Sequence, residues 1–230
     1  MTASPLVTAI IPTYNGERHL AEAIESVLAQ TYDPFELLVV DDGSTDETRR
    51  IASAFSKVRL LAQKNAGVSV ARNTGASAAQ GTVLAFLDQD DEWTSHKLSV
   101  QVRPLVENPT IDYTLGYQQI YLDEGVPVPR WLEVWGVDRK HVGHFPGTLV
   151  VRLEAFECTG GFRPGTEPAE GADWFLRANE CGLTKHVVSD VVLLKRIHDA
   201  NQSGDQDFVR RQVLEAIRHS LRRRREAQRE

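Results

Sequence analysis

Apolar positions along the chain come in short runs, and each run stops at a cluster of polar residues. Residues 6–11 run apolar up to Pro12, residues 35–40 up to Asp41-Asp42-Gly43-Ser44, and residues 82–87 up to Asp88, Asp90 and Asp91; residues 58–61 form a further run. Runs of this length, β-branched and bounded by turn residues, predict buried strands. Between them, residues 17–30 carry Leu20, Ile24, Val27 and Leu28 at helical spacing. Residues 45–55 fit a second helix, with Ser44 or Thr45 as its cap and Asp46 and Glu47 favouring its first turn. Residues 69–80 predict a third, alanine-rich helix. Strand and helix in strict alternation predict an α/β fold, a Rossmann-like, mostly parallel sheet with helices on both faces.

The second half is less regular. The pattern predicts a helix over 93–106 interrupted at Pro104, a strand over 111–117 and another over 147–151. A helix over 170–182 and a last core strand within 187–197 follow. Residues 123–147, rich in Pro, Gly, Trp and His, read as loops around an acceptor pocket or as a variable insertion. Trp131, Trp135, His141 and His144 fall there, and aromatic rings suit ligand stacking and core packing equally. No linker separates the halves, so they are expected to form one unit.

Open parallel sheets bind ligands beyond the carboxyl ends of their strands. Pro12-Thr13-Tyr14-Asn15, Asp41-Asp42-Gly43-Ser44 and Asp88-Gln89-Asp90-Asp91 are all expected at that edge. If the strand continues, alternation puts Asp88 and Asp90 on one side. Paired carboxylates repel unless a cation sits between them, and Mg²⁺ or Mn²⁺ takes such oxygen ligands. Acids after a strand also serve as caps and turn formers.

Composition narrows the classes. The chain has 230 residues, of which 41% are hydrophobic, enough for a real core. No apolar stretch approaches the roughly 18 residues that span a bilayer. Met1-Thr2-Ala3-Ser4-Pro5 has no charged or apolar leader pattern, so no signal peptide is expected. Cys158 and Cys181 are too few for a disulfide framework, which points to the cytoplasm. A net charge of −6 argues against nucleic acid as a partner. The basic tail around Arg222-Arg223-Arg224-Arg225 reads as a solvated helix, or as a contact with an anionic membrane surface or a partner protein.

With these segments placed, the chain resembles glycosyltransferase family 2 of the GT-A fold. The resemblance rests on Val7-Thr8-Ala9-Ile10-Ile11-Pro12-Thr13-Tyr14-Asn15, Leu38-Val39-Val40-Asp41-Asp42-Gly43-Ser44-Thr45-Asp46, Asn65-Ala66-Gly67-Val68-Ser69-Val70-Ala71-Arg72-Asn73 and Phe86-Leu87-Asp88-Gln89-Asp90-Asp91. It continues more weakly through Gly160-Gly161-Phe162, Asp173-Trp174-Phe175-Leu176-Arg177 and Arg196-Ile197-His198-Asp199-Ala200-Asn201-Gln202-Ser203. Residues 1–204 are expected to form the GT-A domain and 205–230 a basic helical tail.

The resemblance implies inverting transfer of a sugar from a nucleotide-diphospho-sugar, with UDP-hexose the preferred donor class. The acceptor is then a glycan, a lipid-linked sugar, a peptide or a small molecule. It implies that Pro12, Thr13, Tyr14, Asn15, Asn65 and Gln89 line the nucleotide-sugar pocket, with Asp41 or Asp42 on a uracil-like base and Arg72 on the diphosphate. Asp88 would contact ribose or sugar, and it would join Asp90 and His198 as a ligand of the metal, Mn²⁺ or Mg²⁺. The general base comes from an acidic pattern, here Glu170-Gly171-Ala172-Asp173-Trp174. Asp173 is the first choice and Glu170 the second, because Gly171 stands where similar proteins carry an aspartate. That departure leaves an alternative, a catalytically weakened nucleotide-sugar binder or regulatory protein of the same fold.

Overall fold

The first apolar run folds as β1 (Val7–Thr13), buried along its whole length. It is followed by α1 (Leu20–Leu28), β2 (Phe35–Asp41), α2 (Thr48–Ser53), β3 (Val58–Ala62), α3 (Val68–Ser77) and β4 (Val83–Phe86). The second half adds β5 (Glu92–Trp93), α4 (Lys97–Glu107), β6 (Tyr113–Leu122), β7 (His141–Val142), a 3₁₀ turn (Pro146–Thr148) and β8 (Val150–Arg152). The chain continues through α5 (Leu153–Cys158), α6 (Glu170–Glu180), β9 (Lys185–Ile197) and α7 (Gln206–Ala227). The structure is a computed structural model and describes residues 4–129, 132, 140–199 and 206–227.

One sheet carries the strands in the order β3-β2-β1-β4-β8-β6-β9-β5, with β7 on β6. β3, β2, β1 and β4 are mutually parallel, and so are β6 and β9; β8, β7 and β5 run antiparallel to their neighbours. After β3 the chain crosses back to lay β4 on the far side of β1. That reversal opens a crevice beyond the ends of β1 and β4, the usual ligand position in such sheets.

Strand alternation separates two cores. Val7, Ala9 and Ile11 with Leu37, Val39, Val83 and Ala85 face α1, α2 and α4. Ile10 with Leu38, Val40, Leu84 and Phe86 faces α3, α5 and α6. Helices therefore cover both faces, as a sheet of fully apolar strands requires. Gly75 lets α3 sit close: a Cβ there would lie 2.6 Å from Ile10 Cγ2 and 3.2 Å from Val40 Cγ2. Gly75→Ala is therefore expected to cost about 1–3 kcal/mol by overpacking, read from urea unfolding.

Several local expectations are corrected. α2 begins at Thr48, because Asp46 turns its carboxylate onto the Thr48 N–H (3.1 Å) and hydroxyl, while neither Ser44 nor Thr45 caps it. Trp93 lies in β5, with Leu193 opposite, and the helix starts at Lys97. Pro104 does not interrupt that helix; it ends at Glu107, within a turn of the single backbone bond that the proline forfeits. Pro146–Thr148 is a 3₁₀ turn before a shorter strand, and α5 had no counterpart in the apolar pattern. β4 stops at Phe86, so 88–91 is a turn, closed by the Asp91 N–H on the Asp88 carbonyl (3.2 Å).

Candidate active site

The loops after β1, β2 and β4 are stitched into one floor. Gln89 reaches across the crevice: its Oε1 accepts the Thr13 hydroxyl (2.6 Å) and the Tyr14 N–H (2.9 Å), and its amide donates to the Tyr14 carbonyl (3.2 Å). The turn after β1 is held to the next loop by the Asn15 N–H on Ser44 Oγ (2.9 Å) and the Gly16 N–H on Thr48 Oγ1 (2.8 Å). In return the Thr45 N–H donates to Asn15 Oδ1 (2.9 Å). Asn15 adopts φ of +48°, a left-handed turn conformation that asparagine tolerates. Pro12 and Thr13 close β1 as buried residues, and the Tyr14 ring is exposed at the rim.

Asp41 and Asp42 are both buried, with separate tasks. Asp41 accepts the Ser44 N–H (3.0 Å) and the Arg49 guanidinium. Burial opposes its ionisation, but hydrogen bonds from Ser44 and Arg49 outweigh burial and hold the carboxyl below its ordinary range. Asp42 accepts the Gln63 amide (2.8 Å) and the Ala66 and Gly67 N–H groups (2.9 and 2.8 Å). It thereby anchors the exposed segment containing Asn65 against the Gly43 turn, where a Cβ would lie 2.9 Å from the Asn65 nitrogen.

Arg72 is the centre of the next layer. It is 2% exposed and bridges Asp88 Oδ1 (2.5 Å) and Glu170 Oε1 (2.7 Å), from α3 to the β4 turn and the first residue of α6. Burial weakens its charge, but Asp88 and Glu170 overcome that and hold the guanidinium firmly protonated. Glu170 Oε2 is buried and accepts no hydrogen bond. Asp173, one turn along α6, stands apart from this group. Its carboxylate is 0% exposed and faces Arg177 Nε (2.8 Å), Arg163 Nη1 (3.4 Å) and Arg223 Nη1 (3.9 Å). At Gly171 a Cβ would lie 3.0 Å from Pro146 Cδ, so the 3₁₀ turn closes over the position between the two acids.

On the other side of the β4 turn, His198 Nε2 lies 3.0 Å from Asp90 Oδ2. Asp90 thus points to the end of β9, while Asp88 points to Arg72 on α3. Burial pushes the Asp90 carboxyl up, but His198 and Lys195 hold it well below the ordinary range. Asp91 is buried on Lys195 Nζ (3.0 Å) and the Arg196 N–H (3.0 Å). Arg196 binds the Asp90 carbonyl (3.1 Å), Asp123 (2.9 Å), Glu92 (3.1 Å) and Glu22, tying four segments together. Among the described residues no three His, Cys, Asp or Glu side chains group as metal ligands. Lys195 and Asp123 were not anticipated; a charged pair near the end of the partly buried strand β9 was the signal available for Lys195.

Trp131, Trp135, Asn201 and Ser203, and the expected domain boundary at 204/205, lie outside the described residues. His144 is exposed, edge-on to Phe175 at 5.4 Å.

A 3-2-1-4 strand order with acid-rich loops at its switch point defines a nucleotide-binding type of α/β domain. The comparisons narrow this: the glycosyl transferase family 2 profile matches residues 8–168, and the chain belongs to that family. The Escherichia coli UDP-Glc:alpha-D-GlcNAc-diphosphoundecaprenol beta-1,3-glucosyltransferase WfgD is 42% identical over 118 residues, 50% of this chain and 46% of its own. An uncharacterized glycosyltransferase of Rickettsia felis is 43% identical over 117 residues, 50% of this chain and 19% of its own. The crystal structure of S. aureus TarS 1-349 in complex with UDP-GlcNAc superposes with a TM-score of 0.69 at 21% identity, covering 86% of this chain and 60% of that one. The fold is therefore GT-A. The chain spans about half the length, or less, of the curated relatives it matches.

Proposed function

We propose that this chain transfers a sugar, with inversion, from a nucleotide-diphospho-sugar to an acceptor hydroxyl. The observation that carries the reading is the convergence of the matched family segments on one crevice, with Arg72, Asp88, Glu170, Asp90 and His198 grouped around the β4 turn. UDP is the favoured nucleotide, supported by the TarS complex with UDP-GlcNAc. A lipid-linked sugar is the favoured acceptor class, supported by the diphosphoundecaprenol-linked acceptor in the name of WfgD. Tyr14 would flank the base, with Asp41 or Asp42 beside it and Asn65 at the rim.

Asp90 and His198 offer one oxygen and one nitrogen donor 3.0 Å apart, while Asp88 is turned to Arg72. This donor set suits Mn²⁺ or Mg²⁺ once donor phosphates complete the shell. Such an ion, when bound, offsets the charge that builds on the leaving diphosphate. In the displacement, the acceptor oxygen forms its bond to the anomeric carbon as the bond to the diphosphate breaks on the opposite face. The acceptor proton passes to a carboxylate of α6. Each acid keeps one buried oxygen without a hydrogen bond, Glu170 Oε2 and Asp173 Oδ1. Glu170 is the stronger candidate because it joins the Asp88 group through Arg72, whereas Asp173 is enclosed by three arginines. The weakened-enzyme reading has its own support in Gly171, over which Pro146 closes.

Calorimetry with UDP, GDP and dTDP, each with and without Mn²⁺, tests the donor half. One nucleotide, UDP, is expected to bind, with affinity raised at least about tenfold by metal, equivalent to ~1.4 kcal/mol. Binding of none of the three would remove the transfer reading.

A further inference from the structure

Helix α7 shows two unlike faces. One packs on α6: Ala216 and Ser220 are buried, the Ser220 hydroxyl donates to Glu180, and Arg223 binds Glu180 at 2.7 and 3.1 Å. The other exposes Leu214 (46%), Ile217 (39%) and Leu221 (50%). Spacings of three and four align these side chains in one stripe. Eight large apolar side chains are exposed among the described residues, and three of them stand in this stripe.

The stripe is bordered by cations. Arg218 and Arg225 each follow a stripe leucine by four residues, and Arg210 and Arg224 lie two turns either side of Ile217; all four are exposed. By helical spacing Glu215 and Glu226 fall on the side away from the stripe, and Glu226 is taken by Arg222 (3.0 Å). In a chain of net charge −6, this helix holds seven arginines against three acids. An anionic surface would attract this helix and repel the acidic body, which fixes an orientation. A second copy docking by the same face would bring its arginines against these, which disfavours a symmetric pair.

We infer that α7 is a docking face for an anionic lipid bilayer. Leu214, Ile217 and Leu221 enter the boundary between headgroups and acyl chains, and Arg210, Arg218, Arg224 and Arg225 meet lipid phosphates. No helix among the described residues is long and apolar enough to cross a membrane, so the helix lies on the surface. The contacts to Glu180 hold it to α6, whose first residue, Glu170, joins the candidate site. Docking would thus hold that site at a set height above the bilayer. This inference stands on exposure and charge and does not depend on the proposed reaction.

The test is co-sedimentation of the full chain with vesicles of phosphatidylglycerol and phosphatidylcholine, against phosphatidylcholine alone. Binding is expected only to the anionic vesicles, weakening with added salt. Replacing Leu214, Ile217 and Leu221 together by serine is expected to cut partitioning at least about tenfold. Arg218→Ala and Arg225→Ala are each expected to cut it about fivefold. All variants should keep the parent's thermal unfolding midpoint and nucleotide binding. Equal binding to both vesicle types, no binding, or undiminished binding by the serine variant would overturn the inference. So would stripe-dependent dimerisation in sedimentation velocity without vesicle binding, since a second copy would then be the occupant.

Discussion

Arg72→Met is expected to lose roughly 3–5 kcal/mol of stability, the range seen when one partner of a buried ion pair is removed. The guanidinium is buried between Asp88 and Glu170, and methionine fills much of its volume while leaving both carboxylates facing each other. Glu170 is almost wholly buried, so water compensates it poorly; Asp88 is partly exposed, which moves the expectation toward the lower end. Urea unfolding gives the stability directly. The cause can be isolated: Arg72→Met combined with Glu170→Gln should be less destabilised than the two single changes added together. Arg72→Lys should recover only part, because an ammonium cannot present two diverging donors in one plane. A loss below about 1 kcal/mol for Arg72→Met would mean that the bridge does not hold α3, the β4 turn and α6 together. Transfer should fall in parallel, by roughly 100-fold in kcat/KM, because the same bridge positions Asp88 and Glu170.

β1, β2 and β4 were legible because each is a largely apolar run that stops at turn residues, and the edge strand β3, with Arg59 exposed, was legible from its short apolar run alone. Val7 to Thr13 could not be half-exposed without baring its core, so burial, parallel pairing and helices on both sides followed together. The convergence of the Tyr14, Ser44 and Gln89 loops followed from that topology, and the hydrogen bonds of Gln89 realise it. What lay beyond reach were partners distant in sequence. Asp88 and Asp90 looked like a matched pair by alternation, yet the strand ends before them and each turns to a different element. Lys195 and Arg196 meet residues more than a hundred positions earlier, and no local pattern announces such contacts. β5 is a two-residue pairing fixed by its neighbours, too short to carry a periodic signal, whereas the apolar run over 147–151 announced β8 and only its start was misplaced.

The same limit explains the ambiguity over the base, and it sets up the most direct test of the site. Glu170 and Asp173 stand three apart on α6, so helical spacing puts them on adjoining positions and ranks neither. Each has one buried oxygen without a hydrogen bond, and the ranking comes from the charges around it: a single guanidinium, Arg72, binds Glu170, whereas Arg163, Arg177 and Arg223 surround Asp173. Glu170→Gln keeps an oxygen for Arg72 and removes the proton acceptor. It is expected to lower kcat roughly 100- to 10,000-fold while leaving UDP binding within error. Asp173→Asn removes a negative charge from among three guanidinium groups. It is expected to cost about 3 kcal/mol of stability, and the protein that remains folded should keep most of its transfer rate. Rates measured per folded molecule, alongside calorimetric titration of UDP, separate the two roles. The reverse pattern, with a folded and inactive Asp173→Asn beside an active Glu170→Gln, would transfer the base to Asp173 and require the arginine cage to open when the acceptor binds.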